Sequence, residues 1–457
     1  MGPGRVFLAA CAVALACAGS ANAAVPQELT VAASDGTPLA CGLVLPDGPP
    51  PAGGWPGLLL FHGLGQTHAT METLAAAAFA PTGYASLACD ARGTGGSGGS
   101  FGLDGPRETQ DARDLVAWLA ARPDVSDTQI GAFGLSLGAG AVLAATAAGV
   151  PFKAIVPALG WTSLGVALAP QGVAKSGIVP LIAAAVPAER WDPQLAAARE
   201  ALLGGTLTAA VTQAAAARST KAALRGIATP ALVLQGRHDF LFDLDQGLAA
   251  YKALAGPKKL YVGDLGHAPA TSPPAEASYY LGEAVSWFDA YLQGGPAPAA
   301  GIELARDPWD GTTRTWAALP KTYAASVALP GRAILAAGGR VSRSARLTGG
   351  PHETWGAGSV AVRYSGAQGW SRLVATVSVA GTKTPVTEGA VRISKPEGVA
   401  TIRLLNEVVR LPRGKKLTVT LSGSSADLYP GGPAAGATIA IGRVTLKLPL
   451  LRAARSG

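Results

Sequence analysis

Five residues, Gly134-Leu135-Ser136-Leu137-Gly138, constrain this chain more than any other feature. An apolar run at 130–133 precedes them, and an alanine-rich stretch of helical character follows as far as Ala148. A serine between two glycines, in a turn from a strand into a helix, is the pattern of a nucleophile elbow. A turn this tight has no room for bulky neighbours beside a strained serine. We therefore predict that Ser136 is a nucleophile; an ordinary glycine-rich turn is the alternative.

An acid and a histidine follow Ser136 in the chain order of an α/β-hydrolase triad. Residues 231–235 read as a buried parallel strand, and Asp239 follows its carboxyl end, where catalytic groups lie in open α/β sheets. Residues 259–262 read as the next strand, and His267 comes after it. We expect His267 to be the general base and Asp239 to fix its tautomer and stabilise its charged form.

Three other acids compete with Asp239 for the same role. Asp243 and Asp245 begin an apolar-periodic stretch, so we expect them to cap a helix N-terminus. Asp243 remains the alternative triad acid. Asp264 lies three residues before His267, and we expect it to accept hydrogen bonds from loop amides.

The loop after an earlier predicted strand, 58–61, has the pattern His62-Gly63-Leu64-Gly65, which is typical of an oxyanion loop. We predict the backbone N–H groups of Leu137 and Leu64 as the oxyanion donors. The side chain of His62 is expected to hold this loop rather than act as a second base. His68 and His238 are expected to be ordinary solvated or hydrogen-bonded loop residues. The chain has no metal-ligand spacing, so neither a metal nor another cofactor is expected.

The N-terminus has the features of a secretion signal over residues 1–23. Arg5 supplies a positive charge, residues 6–17 are apolar, and Ala21-Asn22-Ala23 matches a cleavage site. The apolar run is too short to span a membrane, and no later run is long enough. We expect export with cleavage after Ala23. Tethering as a lipoprotein, through Cys11 or Cys17, is the alternative.

Two cysteines, Cys41 and Cys89, remain after this signal. They fall in predicted strands at 37–45 and 84–89, which would be the second and fourth strands and neighbours in this kind of sheet. A disulfide is therefore geometrically possible in an oxidising compartment. Two buried free thiols are the alternative, and we expect the thiols.

Composition indicates a folded protein of two domains. The 37 basic and 29 acidic residues are scattered, without a basic stripe that carries aromatic residues, so no nucleic-acid partner is expected. Charged residues make up 14% and apolar residues 49%, which excludes a disordered chain. A length of 457 residues favours two domains.

The pattern of elements divides the chain at a Gly- and Pro-rich linker, 293–299. Strands alternate with helices before it, which predicts an α/β catalytic domain over 24–295. The alternation stops between about 161 and 225, where an alanine-rich segment predicts an inserted helical cap. Runs of period two follow the linker and predict an all-β sandwich or jelly roll over 296–457.

Motifs in both halves share one resemblance. On the catalytic side they are 90–99, 108–119 and 131–138, and on the C-terminal side 386–394 and 409–422. Together they resemble the X-prolyl dipeptidyl peptidase and cocaine-esterase-type family of serine hydrolases. The resemblance implies an α/β-hydrolase fold with a cap, a galactose-binding-like jelly roll, and a secreted acyl hydrolase that works through a serine acyl-enzyme.

One departure from the family pattern bears on the substrate. Family members place a tyrosine hydroxyl in the oxyanion hole, whereas the pattern starting at His62 is that of general esterases. Release of X-Pro dipeptides also requires an acid to bind the free amino terminus. Glu189 and Asp192 in the cap are candidates by position, although exposed helix-end charges are the expected role.

We therefore expect a serine hydrolase that cleaves carboxylic ester or amide bonds in a small-molecule or peptide acyl substrate. An X-prolyl dipeptidyl peptidase is the first alternative. A catalytically dead scaffold with a carbohydrate- or surface-binding β-domain is the second.

Overall fold

A ten-stranded sheet forms the first half of the computed structural model, which describes residues 25–382 and 384–452. The predicted secretion signal lies outside the described residues. The strands of this sheet are β1 (Gln27–Ala32), β2 (Pro38–Val44), β3 (Trp55–Phe61), β4 (Ala85–Cys89), β5 (Val125–Leu135), β6 (Ile155–Ala158), β7 (Ala231–Gly236), β8 (Lys258–Gly263), β9 (Gly301–Ala305) and β10 (Thr313–Trp316). Their order is β1-β2-β4-β3-β5-β6-β7-β8-β9-β10. All neighbouring pairs from β4 to β9 are parallel.

Helices connect these strands and cover both faces of the sheet. The helices are α1 (His68–Leu74), α2 (Pro106–Ala120), α3 (Leu137–Ala147), α4 (Leu164–Leu168), α5 (Val179–Ala184), α6 (Ala196–Leu203), α7 (Ala209–Ala217), α8 (Leu244–Ala253) and α9 (Pro274–Leu292). Short π or 3-10 segments lie at Ala75–Phe79, Ala80–Thr82, Pro170–Gly172, Ala188–Arg190 and Pro193–Leu195. Within the described ranges, no helix is long and apolar enough to cross a membrane.

The central strands are apolar on both sides, as strands of a covered parallel sheet must be. Leu59 on β3 points into one core with Leu115 of α2, whereas Leu58 and Leu60 point into the other with Trp287 of α9. This two-sided burial holds the carboxyl ends of β5, β7 and β8 side by side. The loops that follow these three strands therefore emerge from one edge of the sheet.

The cap consists of α4 to α7, which follow one another between β6 and β7. Prolines interrupt this segment, so its helices are short. The side chain of Thr208 accepts a hydrogen bond from the N–H of Val211 at 3.3 Å and caps α7.

The second half is all antiparallel β-structure. Its strands are β11 (Thr322–Leu329), β12 (Ala333–Ala336), β13 (Val341–Arg346), β14 (His352–Glu353), β15 (Ser359–Ser365), β16 (Arg372–Val379), β17 (Thr387–Arg392), β18 (Gly398–Arg403), β19 (Arg410–Leu411), β20 (Lys416–Ser422) and β21 (Thr438–Leu451). One sheet has the order β11-β21-β15-β18, with β12 also on β21, and the other has the order β13-β20-β16-β17. Their facing side chains form one core. The predicted fold class, an α/β-hydrolase domain followed by a β-sandwich, is confirmed.

The sheet topology differs from the predicted domain boundary at 295/296. Strands β9 and β10 come after that point, yet they complete the ten-stranded sheet, with β9 parallel to β8 and β10 antiparallel to β9. The Gly- and Pro-rich segment at 293–299 is the loop that returns from α9 to the sheet. Composition alone does not distinguish such a crossover loop from a linker between domains.

Cys41 and Cys89 form a disulfide, so the expectation of two free thiols is wrong. The two residues are direct cross-strand partners in the antiparallel pair β2–β4, with their Cα atoms 4.0 Å apart. Register brings the two sulfur atoms together. The sequence predicted the neighbouring strands but not this register.

We predict that the double variant Cys41→Ala/Cys89→Ala unfolds at lower urea concentration, with a loss of about 2–4 kcal/mol in the free energy of unfolding. The bond closes a loop between residues 48 apart in sequence, so its removal frees the unfolded chain. Urea titrations with and without dithiothreitol measure the effect. Reductant should destabilise the wild type and leave the variant unchanged. Equal midpoints for all four samples would contradict the prediction.

Candidate active site

Ser136 occupies a strained turn between β5 and α3. Its φ of 55° and ψ of −109° lie where residues other than glycine are rarely found. Its N–H donates to the carbonyl of Ala158 on β6 at 2.8 Å, which helps to hold the turn. The local geometry is that of the predicted nucleophile elbow.

The two flanking glycines are required for steric reasons. A Cβ atom on Gly134 would lie 2.1 Å from the carbonyl oxygen of Gly138. A Cβ on Gly138 would lie 2.1 Å from the carbonyl oxygen of Phe61 at the end of β3. The backbone passes too close for any side chain at either position.

The three residues of the predicted triad come together in one chain of hydrogen bonds. Ser136 Oγ lies 2.8 Å from His267 Nε2, and His267 Nδ1 lies 2.8 Å from Asp239 Oδ2. Asp239 lies in the loop after β7 and His267 in the loop after β8. With the proton on Nδ1 directed at the carboxylate, Nε2 is free to accept the serine proton.

Asp239 is fully buried, and its carboxylate is held by backbone donors as well as by the imidazole. Oδ1 accepts hydrogen bonds from the N–H groups of Leu241 and Phe242, both at 2.9 Å. Oδ2 also accepts from the N–H of His267 at 3.1 Å. These donors fix the carboxylate in the orientation that the imidazole requires.

The competing acids have other partners. Asp243 stands at the N-cap position of α8 but makes no capping bond; its carboxylate accepts from the N–H of Asn406 at 2.9 Å. Asp245 accepts from Asn406 Nδ2 at 2.7 Å and pairs with Arg403. The capping prediction is therefore wrong for both side chains, because a distant loop supplies their donors. Asp264 accepts from the N–H of Thr271 at 2.9 Å, as expected of a loop carboxylate.

A cavity of about 340 Å³ opens beside Ser136 and His267. Leu64 and Leu137, the predicted sources of the oxyanion donors, line it as well. Leu137 is the first residue of α3, where N–H groups have no partner within the helix and attract negative charge. The rest of its wall is mainly apolar side chains from the cap and neighbouring loops. They include Leu103, Trp161, Leu164, Leu168, Ile178, Leu181, Ile182, Leu241 and Phe242.

The side chain of His62 ties two loops together, as expected. Its Nδ1 donates to the carbonyl of Gly63 at 2.8 Å, and its Nε2 accepts from the N–H of Ala91 at 2.9 Å. Burial lowers the pKa of His62, in accord with a neutral imidazole in this bonding pattern. The loop after β3 is therefore anchored to the loop after β4.

Neither His68 nor His238 lines the cavity at Ser136. His238 is half-buried and packs against Phe240, with ring centroids 5.2 Å apart, and desolvation lowers its pKa to about 4. His68 Nδ1 lies 2.8 Å from Asp90 Oδ1, and its Nε2 lies 3.1 Å from Glu28. Glu28, His68 and Glu72 lie close together, and their side chains are of the types that bind metal ions. The sequence did not reveal this group, because Glu28 lies 40 residues from His68.

A loop of the β-sandwich, residues 404–409, packs against the loop that carries Asp239. Glu407 Oε2 accepts the N–H of Asp239 at 2.9 Å, and the N–H of Val408 donates to the carbonyl of Arg237 at 2.6 Å. From the cap, the buried Lys175 donates its Nζ to the carbonyls of Phe240 and Leu241 at 2.7 and 2.9 Å. No motif marks Glu407 or Lys175 in the sequence.

Glu407 is buried beside two other acids. Burial raises the pKa of Glu407 well above its usual value, and the charges of Asp243 and Asp239 raise it further. Burial together with Asp245 likewise raises the pKa of Asp243 to about 6. The site thus favours a protonated Glu407, which accepts the amide of Asp239 without adding a charge next to it.

We predict that Glu407→Gln becomes progressively more stable than the wild type as the pH rises from 5 to 8. Because the folded-state pKa exceeds the unfolded one, the wild type is stabilised below the unfolded pKa and loses that stability as the pH rises. Glutamine keeps the acceptor oxygen and cannot ionise. The gain in the free energy of unfolding should reach about 1.4 kcal/mol or more, measured by urea titration at both pH values.

Glu397→Gln, at an exposed position, is the matched control and should show no such trend. The difference in the free energy of unfolding between Glu407→Gln and the wild type could instead stay constant from pH 5 to 8, or reverse. Either result would show that Glu407 is ionised in the folded protein.

A solved CocE/NonD family hydrolase from Staphylococcus aureus is similar with a TM-score of 0.73 and 16% identity, over 94% of each chain. An α-amino acid ester hydrolase is similar with a TM-score of 0.74 and 14% identity, over 94% of this chain and 98% of that one. An aminopeptidase from the marine sediment archaeon Thaumarchaeota archaeon is similar with a TM-score of 0.70 and 12% identity, over 94% of this chain and 97% of that one. At these identities the likeness shows the fold.

The family comparison is more specific. No curated protein sequence matches the chain. The family model described as X-Pro dipeptidyl-peptidase (S15 family) matches residues 35–269, which is just over half of the chain and includes Ser136, Asp239 and His267. The chain therefore belongs to the X-Pro dipeptidyl-peptidase (S15) family, and it is a serine hydrolase of the kind that cleaves ester or amide bonds.

Proposed function

We propose that the protein is an exported esterase in which Ser136, His267 and Asp239 form the catalytic triad. One observation carries this proposal: Ser136 Oγ lies 2.8 Å from an imidazole nitrogen whose partner nitrogen is bound to a buried carboxylate. The serine lies at an open cavity rather than in the packed core. The arrangement has what a serine nucleophile requires, which is a base within reach and a third group that orients the base.

The reaction follows from these positions. As Ser136 Oγ attacks the ester carbonyl, its proton passes to His267 Nε2, while Asp239 keeps the Nδ1 proton and stabilises the imidazolium. The carbonyl oxygen becomes an oxyanion that the N–H groups of Leu137 and Leu64 bind. His267 then donates its proton to the leaving alcohol, and an acyl-enzyme on Ser136 remains. Water repeats the sequence with His267 as base, which releases the acid and restores Ser136.

The charge of the cavity supports an ester in preference to a peptide with a free amino terminus. None of the described residues that line the cavity is Asp or Glu, so no carboxylate there can bind an ammonium group. Glu189 is exposed, and the Asp192 side chain accepts from the N–H of Gln194 at 2.8 Å; neither residue lines the cavity. No tyrosine among the described residues lines it either. Family membership keeps X-Pro dipeptide release as the second candidate.

An inactive scaffold receives no support, because the family match covers the whole triad. We propose a supporting role for the β-sandwich instead of a carbohydrate-binding one. Its hydrogen bonds through Glu407 and Val408 hold the loop that carries Asp239.

We also propose that the protein is exported after cleavage behind Ala23. The motif that supports cleavage lies in residues 1–23, outside the described part of the chain. The Cys41–Cys89 disulfide is consistent with an oxidising compartment outside the cytoplasm.

We predict that the wild type hydrolyses p-nitrophenyl butyrate, and that Ser136→Ala lowers kcat/KM by roughly 10⁴-fold or more, since the covalent step is lost. Ser278→Ala, on an exposed turn of α9, is the matched control and should keep wild-type activity. Gly-Pro p-nitroanilide measured in parallel should be cleaved far more slowly than the ester. Activity of Ser136→Ala near the wild-type level would reject the triad, and fast anilide cleavage would favour the dipeptidyl peptidase.

A further inference from the structure

We propose that a second cavity in the cap binds the acyl chain of the substrate, so that the enzyme prefers esters of uncharged carboxylic acids with medium or long apolar chains. This inference rests on the proposed esterase function. The cavity, called here the cap chamber, lies among α4, α5, α6 and α7 and has a volume of about 710 Å³. Well-packed protein interiors contain few voids larger than a water molecule, whereas ligand pockets measure roughly 300–1,000 Å³. The size of the chamber is that of a binding site.

The wall of the chamber is predominantly apolar. Each cap helix contributes to it, for example Leu164 of α4, Val179 of α5, Ala198 of α6 and Val211 of α7. Small side chains leave the space open where the helices face each other. A cavity with walls of this kind accepts apolar ligands.

The chamber adjoins the cavity at Ser136. Four side chains, Leu103, Leu164, Leu168 and Ile182, line both cavities. All four are aliphatic, so the side chains between the two cavities present no polar group to an acyl chain. The proposal requires that a chain attached to Ser136 extend past these four side chains into the chamber.

The backbone at this junction is held in a strained conformation. Leu103 has a φ of 54°, which branched and bulky residues rarely adopt. The guanidinium of Arg218, from the end of α7, donates its Nε to the carbonyl of Gly102 at 2.8 Å and so fixes the turn. Strained residues of this kind concentrate where the structure has to place a side chain at a ligand site.

Charge excludes one class of acyl group from the chamber. Its lining includes four cations, Arg199, Arg218, Lys221 and Arg225, and, among the described residues, no Asp or Glu. Lys221 and Arg225 are exposed and lie at the rim. A chain with an ammonium group, as in an aminoacyl ester or a peptide with a free amino terminus, would meet like charges. The chamber therefore suits an uncharged hydrocarbon chain.

The experiment compares p-nitrophenyl esters from acetyl to palmitoyl on the full-length mature protein. Burial of each methylene should raise kcat/KM roughly fourfold until the chamber is filled, so octanoyl should exceed butyryl at least tenfold. Ala198→Phe places a ring inside the chamber. It should lower kcat/KM for dodecanoyl and palmitoyl esters at least tenfold and leave acetyl and butyryl esters within twofold.

Two further variants make this result specific. Ala197→Phe changes the neighbouring residue of α6, which is exposed and lies outside the chamber lining, so it should match the wild type on every ester. Val211→Phe fills the chamber from α7 and should reproduce the chain-length effect of Ala198→Phe. If both chamber variants fail to fold, the wild-type chain-length profile alone still decides.

The outcomes separate this proposal from the proposed function. A flat or falling profile beyond butyryl, with hydrolysis that depends on Ser136, would overturn the chamber and leave the esterase. Equal effects of Ala198→Phe on short and long esters would also overturn it. No Ser136-dependent hydrolysis of any ester would overturn the esterase itself.

Discussion

The geometry of the site depends on the hydrogen bonds of the buried Asp239 carboxylate. It accepts hydrogen bonds from three backbone amides and from the imidazole of His267. The backbone of the loop that carries Asp239 is held in turn by two other parts of the chain. The cap binds the loop through Lys175, and the β-sandwich binds it through Glu407. The cap and the β-sandwich therefore both hold the loop that carries Asp239, and the position of the imidazole beside Ser136 depends on that loop.

Arg237 extends the same network to the edge of the sheet. Its buried guanidinium donates to the carbonyls of Val408 and Ala305, at 2.9 Å each, and pairs with Glu353. Ala305 ends β9, and Glu353 belongs to the β-sandwich. The central sheet and the second half are thus joined through buried hydrogen bonds of Arg237, two residues before Asp239. Removing one partner from such a network leaves the others buried and unsatisfied.

The features of the site that the sequence predicts follow from rules of local structure. The elbow at Ser136 follows from the steric needs of a tight turn, and the order Ser136, Asp239, His267 follows from apolar strands with polar residues at their ends. The contacts of Glu407 and Lys175 arise from tertiary packing and have no local signal, since Glu407 and Asp239 are 168 residues apart in the sequence. For the same reason Asp243 bonds to Asn406 instead of capping α8, and strand register pairs Cys41 with Cys89. Composition also could not show that the segment after α9 returns to the sheet as β9.

Trapping of the acyl-enzyme tests the central claim most directly. The mature protein is mixed with p-nitrophenyl butyrate, quenched in acid within milliseconds, digested and examined by mass spectrometry. We predict a butyryl group on the peptide that contains Ser136, formed as fast as the first equivalent of p-nitrophenol is released. Turnover without an acylated Ser136, or a butyryl group on a different residue, would contradict the account.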